Sequence, residues 1–214
     1  MNVASAGSDE RFWNRVARKY AALPIADVAG YERSLERTRS YLRPTDTVLE
    51  FGCGTGGTAL KLAPSVASIV AIDISGEMIA IARERAAAAG CANVTFEKGT
   101  LNTIGYEDNA FDVVLGYNAL HVLRKVPAAL VQIRRLLRPN GVFISKTPCI
   151  GDASLLVRAA LPVLQLIGKA PYLTALTGDT LKREISNARF TLVEEGNHDT
   201  KGSYNRHFLV ARAS

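Results

Sequence analysis

The sequence predicts an α/β fold: a seven-stranded, mostly parallel sheet with an antiparallel last strand, helices on both faces and an N-terminal helical extension. Three observations lead to this prediction. Short apolar runs alternate with helical patterns between residues 47 and 147, which is typical of parallel sheets with helical crossovers. A glycine-rich turn follows the first run, and an acid ends the second. Near the C-terminus a short turn joins two strand-like runs, which favours antiparallel pairing.

The predicted elements follow from local signals along the chain. Two amphipathic helices, residues 9–21 and 31–42, come first, with Pro24 and Gly30 as the breaks between them. Ser75 is a typical N-cap residue for the helix after the second strand. The remaining elements are strand 47–51, helix 55–63, strand 68–73, a helix from 76 that ends at the glycine at 90, strand 94–97, a loop at 99–110, strand 111–117, helix 128–137, a turn at 138–141, strand 142–146, helix 180–188, strand 190–194, a turn at 196–201 and strand 207–212.

The segment from residue 153 to 177 is the least typical part of the sequence. It is apolar, but Arg158, Pro162, Lys169 and Pro171 interrupt it. A helix that spans a membrane needs a run of about 20 apolar residues, which this segment lacks. Two compatible interpretations remain open: a pair of helices that cover the sheet, and a lid or wall over an apolar substrate pocket.

Length and composition are those of one ordinary globular domain. The chain has 214 residues, of which 48% are hydrophobic and 21% are charged. Its three cysteines form no C-x-x-C pair, so they indicate neither a disulfide framework nor a zinc site, and we expect no metal. The polar N-terminus does not have the pattern of a signal peptide, and a cytoplasmic location is predicted.

A net charge of +6 permits anionic partners, but the basic residues are spread along the chain. The densest cluster contains Arg11, Arg15, Arg18 and Lys19. We interpret this cluster as the solvated face of an amphipathic helix, with a nucleic-acid groove as the alternative.

The residues from Val48 to Gly57 carry the most specific signal in the chain. An apolar strand runs into Gly52-Cys53-Gly54-Thr55-Gly56, a helix follows, and Asp73 ends the next strand 21 positions beyond Gly52. Glycines have no Cβ, so this turn is tight and lets the backbone approach a ligand closely. An acid about 20 residues further on is placed to bind ribose hydroxyls. The spacing therefore predicts a nucleotide-binding βαβ unit.

Glu50 indicates which nucleotide binds. Gly52, Gly54 and Gly57 satisfy the pattern G-x-G-x-x-G, so a dinucleotide is one candidate ligand. A pyrophosphate is bound by helix N–H groups and is repelled by a nearby anion, whereas a carboxylate at the strand end suits a cation. A ligand with an adenosine, a sulfonium and an ammonium group therefore matches this turn better than a dinucleotide does.

The run from Glu50 to Gly56 resembles the glycine-rich motif of the class I S-adenosylmethionine-dependent methyltransferases, and the predicted sheet is similar to their Rossmann-like fold. The resemblance covers about residues 12–212 and is strongest across 47–147. It implies that S-adenosylmethionine is the cofactor and that the reaction is methyl transfer. It also implies one methyltransferase domain (1–214), made of N-terminal helices (1–46), a cofactor-binding half (47–147) and a substrate-side insertion with the C-terminal strands (148–214).

The motif and the resemblance together imply a set of cofactor-binding residues. The expected set is Glu50, Gly52, Cys53, Gly54, Gly56, Asp73, Ile74, Met78, Thr100, Leu101, Asn118 and Tyr20. Glu50 is expected at the amino-acid end of the cofactor, Asp73 at the ribose, and Ile74 and Met78 at the adenine. Tyr31 is a second aromatic candidate, beside Tyr20, to close over the cofactor.

The sequence contains no obvious catalytic motif. Methyl transfer requires alignment of the reactants and exclusion of water, and it requires a base only where the nucleophile holds a proton. Among the three histidines, His121 is the best general-base candidate, with space filling at a helix start as the alternative. Many family members have an acid after strand three that reads the adenine amino group. Here Gly99-Thr100-Leu101 stands at that place, so Thr100 or backbone groups are expected to substitute.

The acceptor is predicted to be a small, fairly apolar molecule. The segment Asn118-Ala119-Leu120-His121 lacks the polar-Pro-Pro-aromatic tetrapeptide of many enzymes that methylate base amino groups. Cys149 is the residue to consider for C5 methylation of bases, but a buried or inert cysteine is the favoured interpretation. Nucleic acid is therefore not an expected partner. Three alternatives stay open: a nicotinamide oxidoreductase, a non-catalytic protein on the same fold, and a nucleic-acid methyltransferase.

Overall fold

The computed structural model describes residues 3–201 and 206–213. Its sheet has seven strands in the order β3-β2-β1-β4-β5-β7-β6. The strands are β1 (Thr47–Phe51), β2 (Ser68–Asp73), β3 (Val94–Lys98), β4 (Phe111–Tyr117), β5 (Leu137–Pro148), β6 (Phe190–Asn197) and β7 (Arg206–Ala213). The α-helices are α1 (Val3–Ala22), α2 (Val28–Arg39), α3 (Gly57–Leu62), α4 (Gly76–Ala88), α5 (Val126–Leu136), α6 (Leu155–Leu166) and α7 (Gly178–Asn187).

Strand pairing confirms the predicted fold class. Strands β3, β2, β1, β4 and β5 pair in parallel, and β7 pairs antiparallel with both β5 and β6. Parallel neighbours need crossover connections, and helices supply them between the strands of the first half. The order changes direction between β1 and β4, and ligands of open α/β sheets bind outside the strand ends at such a point.

Both faces of the sheet are covered, which explains why the central strands read as nearly continuous apolar runs. Successive residues of a strand point to opposite faces, so Val48 belongs to one buried cluster and Leu49 to the other. Phe143 and Ile144 divide in the same way on β5. Because each face buries its own side chains, a shift of one residue in the pairing of a central strand would move its buried side chains from one core to the other.

The interpretation of residues 153–177 as a pair of helices that cover the sheet is wrong. Only α6 forms in this segment, and none of its residues is buried. Helices α5 and α7 cover the sheet instead, and their Leu130 and Leu181 are completely buried in the core.

Several helices and strands begin or end at other residues than predicted, because their ends depend on tertiary contacts that short sequence patterns do not contain. Helix α1 begins at Val3 and α2 at Val28, both earlier than predicted. The predicted turn at 138–141 is part of β5, where Asn140 adopts a φ of +63° and the pairing with β4 is irregular. Ser75 caps α4 as predicted, since its hydroxyl accepts a hydrogen bond from the N–H of Met78 at 3.1 Å. None of the helices described is long and apolar enough to cross a membrane.

Candidate active site

A cavity of about 1050 Å³ opens at the carboxyl ends of the parallel strands. The ends of β1, β2, β4 and β5 and the loop after β3 form its floor. Helix α1, the loop at 23–27 and the start of α2 form its other walls. Ligand pockets in proteins measure about 300–1,000 Å³, so this cavity has room for a nucleoside-sized ligand and a second small molecule.

The glycine turn at the end of β1 depends on three positive φ angles. Gly52, Gly54 and Gly56 have φ of +64°, +54° and +79°. A Cβ on Gly52 would lie 2.8 Å from the Cβ of Ala119, and a Cβ on Gly56 would lie 2.7 Å from the ring of Phe96. Only glycine fits such positions without strain. The turn therefore uses the glycines of the G-x-G-x-G run, and Gly57 is the first residue of α3.

Asp73 holds this turn in place from the end of β2. Its Oδ2 accepts a hydrogen bond from the N–H of Gly54 at 2.9 Å, and its Oδ1 accepts one from the N–H of Ser75 at 2.9 Å. The residue is 9% exposed and lines the cavity. Burial raises the pKa of the carboxyl, although the backbone N–H groups of Ser75, Gly54 and Ile74 oppose this shift. Each carboxylate oxygen can accept more than one hydrogen bond, so the group remains available to a diol in the cavity.

Glu50 is a buried acid with one unused oxygen. It is 1% exposed, lines the cavity, and accepts a hydrogen bond from the backbone N–H of Ala59 in α3. Its Oε2 has no hydrogen-bond partner among the described residues. Burial raises its pKa to about 8, and the Asp73 carboxylate contributes to the rise. A buried carboxyl without a partner is costly, so this geometry fits a ligand that brings a cation.

Helix α1 covers the cavity and is attached at several points. Asp9 forms an ion pair with Arg124 at 2.8 Å, beyond β4, and Glu10 forms one with Lys98 at 2.6 Å, at the end of β3. Asn14 Oδ1 accepts a hydrogen bond from Ser75 Oγ at 2.7 Å. These contacts hold Trp13 and Tyr20 over the cavity. Tyr20, and Tyr31 on α2, both line the cavity.

Arg85 is a cavity residue that sequence reasoning missed. From α4 its guanidinium donates to Thr55 Oγ1 at 2.7 Å and to the carbonyl of Ala21 at 2.9 Å. It thereby joins the glycine turn to the end of α1. An arginine on a helix is common, and no local pattern signals such a bridge.

Replacing Arg85 with Met should weaken S-adenosylmethionine binding by about five- to tenfold, because two charge-assisted hydrogen bonds that order the cavity wall are lost. Methionine keeps most of the apolar stem and cannot donate to Thr55 or Ala21. Isothermal titration calorimetry measures the change, and Arg33→Met, at an exposed position of α2, is the matched control. Equal affinities of the two variants would contradict a role for this bridge.

The end of the cavity next to β3 contains the predicted Ile74, Met78, Thr100 and Leu101. The backbone N–H of Thr100 already donates to Thr103 Oγ1 at 2.8 Å, so it is engaged inside the loop. Asn102, which sequence reasoning also missed, brings an amide to the same part of the cavity lining. An amide has both donors and an acceptor, which is the chemistry that an adenine edge requires.

The opposite end of the cavity, next to β5, has a buried ionic cluster. Lys146 forms an ion pair with Asp199 at 3.1 Å and donates to Ser34 Oγ at 3.0 Å, and Arg206 lies 3.4 Å from the same Asp199. Asp27 anchors this loop, since its Oδ2 accepts the N–H of Thr200 at 2.7 Å, and these hydrogen bonds hold the pKa of Asp27 far below its usual range. In this cluster the positive charges of Lys146 and Arg206 are partly compensated by Asp199.

The predicted cofactor residues come together in this cavity. All of them line it except Gly56, which supports the turn from behind against Phe96. Asn118 has a φ of +51°, and its N–H donates to the carbonyl of Lys146 at 2.7 Å. This contact fixes the segment after β4 against β5.

His121 and Cys149 lie outside the cavity lining. The Nδ1 of His121 is buried without a hydrogen-bond partner among the described residues, and burial, with Arg206 nearby, lowers its pKa to about 4. Cys149 is fully buried, which raises the pKa of its thiol to about 12, so the interpretation as an inert cysteine is supported. The sulfur of Cys149 and one possible metal-ligand atom each of Asp152 and His207 lie within 4.8 Å of one another. None of these three residues lines the cavity.

Comparison with known proteins identifies similar sequences and folds. A family profile described as "Methyltransferase domain" matches residues 42–195. The chain is 31% identical over 140 residues to a demethylmenaquinone methyltransferase of Symbiobacterium thermophilum, covering 62% of this chain and 55% of that protein. It is 32% identical over 102 residues to the uncharacterized methyltransferase YcgJ of Bacillus subtilis, covering 48% of this chain and 40% of that protein. The chain thus spans about half the length of these curated relatives or less.

Among solved structures, the fold is similar to that of geranyl diphosphate C-methyltransferase from Streptomyces coelicolor, which was solved with Mg²⁺, geranyl diphosphate and S-adenosyl-L-homocysteine. The TM-score is 0.75 at 14% sequence identity, and the match covers 100% of this chain and 99% of that one. The YcgJ structure matches with a TM-score of 0.68 at 17% identity, over 85% of this chain and 97% of that one. These likenesses establish the fold.

Proposed function

The chain belongs to the class I S-adenosylmethionine-dependent methyltransferase family, and from this premise we propose that it transfers a methyl group to a small, largely apolar acceptor. Its cofactor is S-adenosylmethionine, the methyl donor of this family. The observation that carries the proposal is Glu50, a buried acid that lines the cavity together with Asp73 and whose Oε2 has no hydrogen-bond partner among the described residues. The pair supplies one anion for an ammonium and one acceptor for a ribose.

The described residues fit the cofactor along the whole floor of the cavity. Glu50 and the glycine turn would hold the amino-acid end, and Asp73 would hold the ribose hydroxyls. Ile74 and Met78 would contact the adenine, and Asn102 would read its polar edge. The division into N-terminal helices, a cofactor-binding half and a substrate-side part within one domain is part of this proposal.

When bound, the cofactor supplies a methyl group that is activated by a sulfonium, so the protein mainly has to align the acceptor and exclude water. Helix α1 and the loop at 23–27 do this by covering the cavity, with the ion pair between Asp9 and Arg124 closing the acceptor side. The carboxylate of Asp73, and that of Glu50 once it has ionised, would stabilise the cationic ligand.

The walls beyond the cofactor residues support a small apolar acceptor. Leu23, Ile25, Val122, Leu123 and Ala129 line this part of the cavity. A mostly apolar cavity with a few polar groups is typical of small-molecule sites. The relatives named above act on a demethylated menaquinone and on geranyl diphosphate, which are small molecules with apolar parts.

His121 stays a prediction as the general base. Its ring is neutral at pH 7 because burial lowers its pKa to about 4, so it is able to accept a proton but is a weak base. His121→Ala should lower turnover about tenfold and leave cofactor affinity unchanged. Turnover is measured once an acceptor is known. His207→Ala is the control, at a histidine that has no proposed role and that, like His121, is not among the residues that line the cavity. Full activity of His121→Ala would contradict a role as general base and would mean that the ring only fills space.

Calorimetric titration with S-adenosylmethionine, S-adenosylhomocysteine and NAD⁺ tests the cofactor part of the proposal. We expect micromolar binding of the first two and no binding of NAD⁺. Binding of NAD⁺ alone would contradict the role of Glu50. A screen of small quinols, phenols and prenyl compounds for methyl transfer then tests the acceptor class, and methylation of RNA or DNA instead would contradict it.

A further inference from the structure

Helix α6 exposes the most prominent apolar surface of the part of the chain that the structure describes. The exposed fractions of Leu155, Leu156 and Leu166 are 79%, 83% and 87%, and those of Val163 and Ile167 are 59% and 55%. We call these five residues the α6 surface. Exposed apolar patches of this kind mark interaction sites in soluble proteins.

The residues of the α6 surface share one side of the helix. At 100° per residue they fall within an arc of about 120°. Val157, Leu161 and Gln165 lie on the opposite side and are half-buried against the protein. Arg158 borders the apolar arc on one flank. The helix is therefore oriented by its inner side, and its outer side presents a continuous apolar strip.

The charged residues of the segment that carries this strip are all basic. Residues 153–177 contain no acid, and Arg158 and Lys169 are both exposed. Helix α1 joins the same side of the molecule, since Arg15 donates to the carbonyl of Gly168 at 2.8 Å. Along α1, Arg18 and Lys19 are exposed as well. An apolar strip with a basic border is the signature of a helix that lies in the interface of an anionic membrane.

The same side of the molecule lies next to the mouth of the cavity. Thr174 donates to the carbonyl of Leu123 at 2.6 Å, and the guanidinium of Arg124 lies 4.2 Å from the ring centroid of Tyr172. Leu123 and Arg124 both line the cavity. The segment that follows α6 is thus packed on the cavity wall, and the loop at 23–27 exposes Leu23 and Ile25 there.

We propose that the α6 surface, with the basic residues of α1 beside it, binds the surface of an anionic lipid bilayer. The apolar strip inserts among the acyl chains near the headgroups, and the arginines and lysines contact the anionic headgroups. The positive border favours this occupant over a second copy of the chain, because two such borders would face each other in a symmetric dimer. The proposal concerns the outer surface and does not rest on the methyl-transfer activity.

Vesicle flotation at 100 mM salt tests the proposal with the full chain. Vesicles of pure phosphatidylcholine are compared with vesicles that contain phosphatidylglycerol in addition. We expect binding to the anionic vesicles, weak binding to the neutral ones, and a decrease with rising salt. Absence of binding to both vesicle types would overturn the proposal.

Two variants and one control connect this binding to α6. Leu156→Glu and Leu166→Glu should each weaken binding to anionic vesicles about tenfold or more, because a charge replaces an inserted side chain. Val131→Glu, on α5 and 56% exposed, is the matched control and should bind like the natural chain. Lys169→Ser should weaken binding to anionic vesicles about fivefold and leave binding to neutral vesicles unchanged.

Two outcomes would overturn the assignment of this surface. Equal vesicle binding by Leu156→Glu and Val131→Glu would place the membrane contact elsewhere. Light scattering that finds a dimer of the natural chain and a monomer of Leu156→Glu would assign α6 to a contact between copies. Circular dichroism and S-adenosylmethionine binding of each variant verify the fold, and their preservation separates failure of this proposal from failure of the proposed function.

Discussion

Replacing Asp73 with Ala should weaken S-adenosylmethionine binding by about a hundredfold or more. The carboxylate accepts the N–H groups of Gly54 and Ser75 at 2.9 Å each and keeps lone pairs for the ribose. Its removal loses the hydrogen bonds to the ribose, at about 1.5–3 kcal/mol, and frees the glycine turn to move away from the ligand. A hundredfold loss corresponds to about 2.7 kcal/mol, which these two effects together supply.

Isothermal titration calorimetry measures this change, and two further variants make it specific. Asp73→Asn keeps an oxygen for one backbone N–H and removes the charge, so it should fall between the natural protein and Asp73→Ala. Asp179→Ala, with a side chain that is 94% exposed on α7, is the matched control and should bind normally. Unchanged affinity in Asp73→Ala would remove Asp73 from the cofactor site.

Replacing Glu50 with Gln should change stability and cofactor affinity in opposite directions. The folded-state pKa of Glu50 is raised to about 8 from 4.5. The protonated form is thus favoured by folding, and the corresponding stability is complete below pH 4.5 and is lost as the pH rises through about 8. The glutamine side chain stays neutral at every pH and keeps an acceptor for the N–H of Ala59. The ligand-free variant should therefore be more stable than the natural chain at pH 8.5, by about 2–4 kcal/mol, and equal to it at pH 4.5.

The same substitution should weaken S-adenosylmethionine binding about a hundredfold, because the ligand ammonium loses the anion that pairs with it. Binding at pH 7 should also release nearly one proton from the natural chain, since Glu50 must ionise to pair with the cation, and none from the variant at that site. Thermal unfolding at the two pH values and calorimetry in buffers of different ionisation enthalpy measure both effects. Glu107→Gln, at an exposed loop position, is the control.

If Glu50→Gln lowered both stability and cofactor affinity, Glu50 would be a structural carboxylate. That result would contradict its assignment as the partner of the ligand ammonium. If the variant is more stable and binds more weakly, the unpaired acid destabilises the ligand-free protein, and its pairing with the cofactor offsets this cost. An active site that is costly without its ligand is a common compromise between stability and function.

The sequence by itself determined the sheet and the turn that receives the cofactor. The bounds of β1, β2 and β4 agree with prediction, and Ser75 caps α4 as expected. These features depend on residues that are neighbours in the chain: apolar runs form strands, and glycines without a Cβ adopt positive φ at Gly52, Gly54 and Gly56. Placement of Asp73 at a strand end follows from the same local pattern.

Only the tertiary structure decided which side chains face the cavity and which are left without a partner. Arg85 bridges to Ala21 across 64 positions, and Asp27 anchors Thr200 across 173. His121 is the counterexample: it follows Asn118 by three positions, in a segment that the sequence predicts to border the site, but it is not among the residues that line the cavity. Helix α6 buries no residue, whereas α5 and α7 pack on the sheet. Such contacts depend on how elements far apart in the chain pack together, and no local pattern of residue types contains that information.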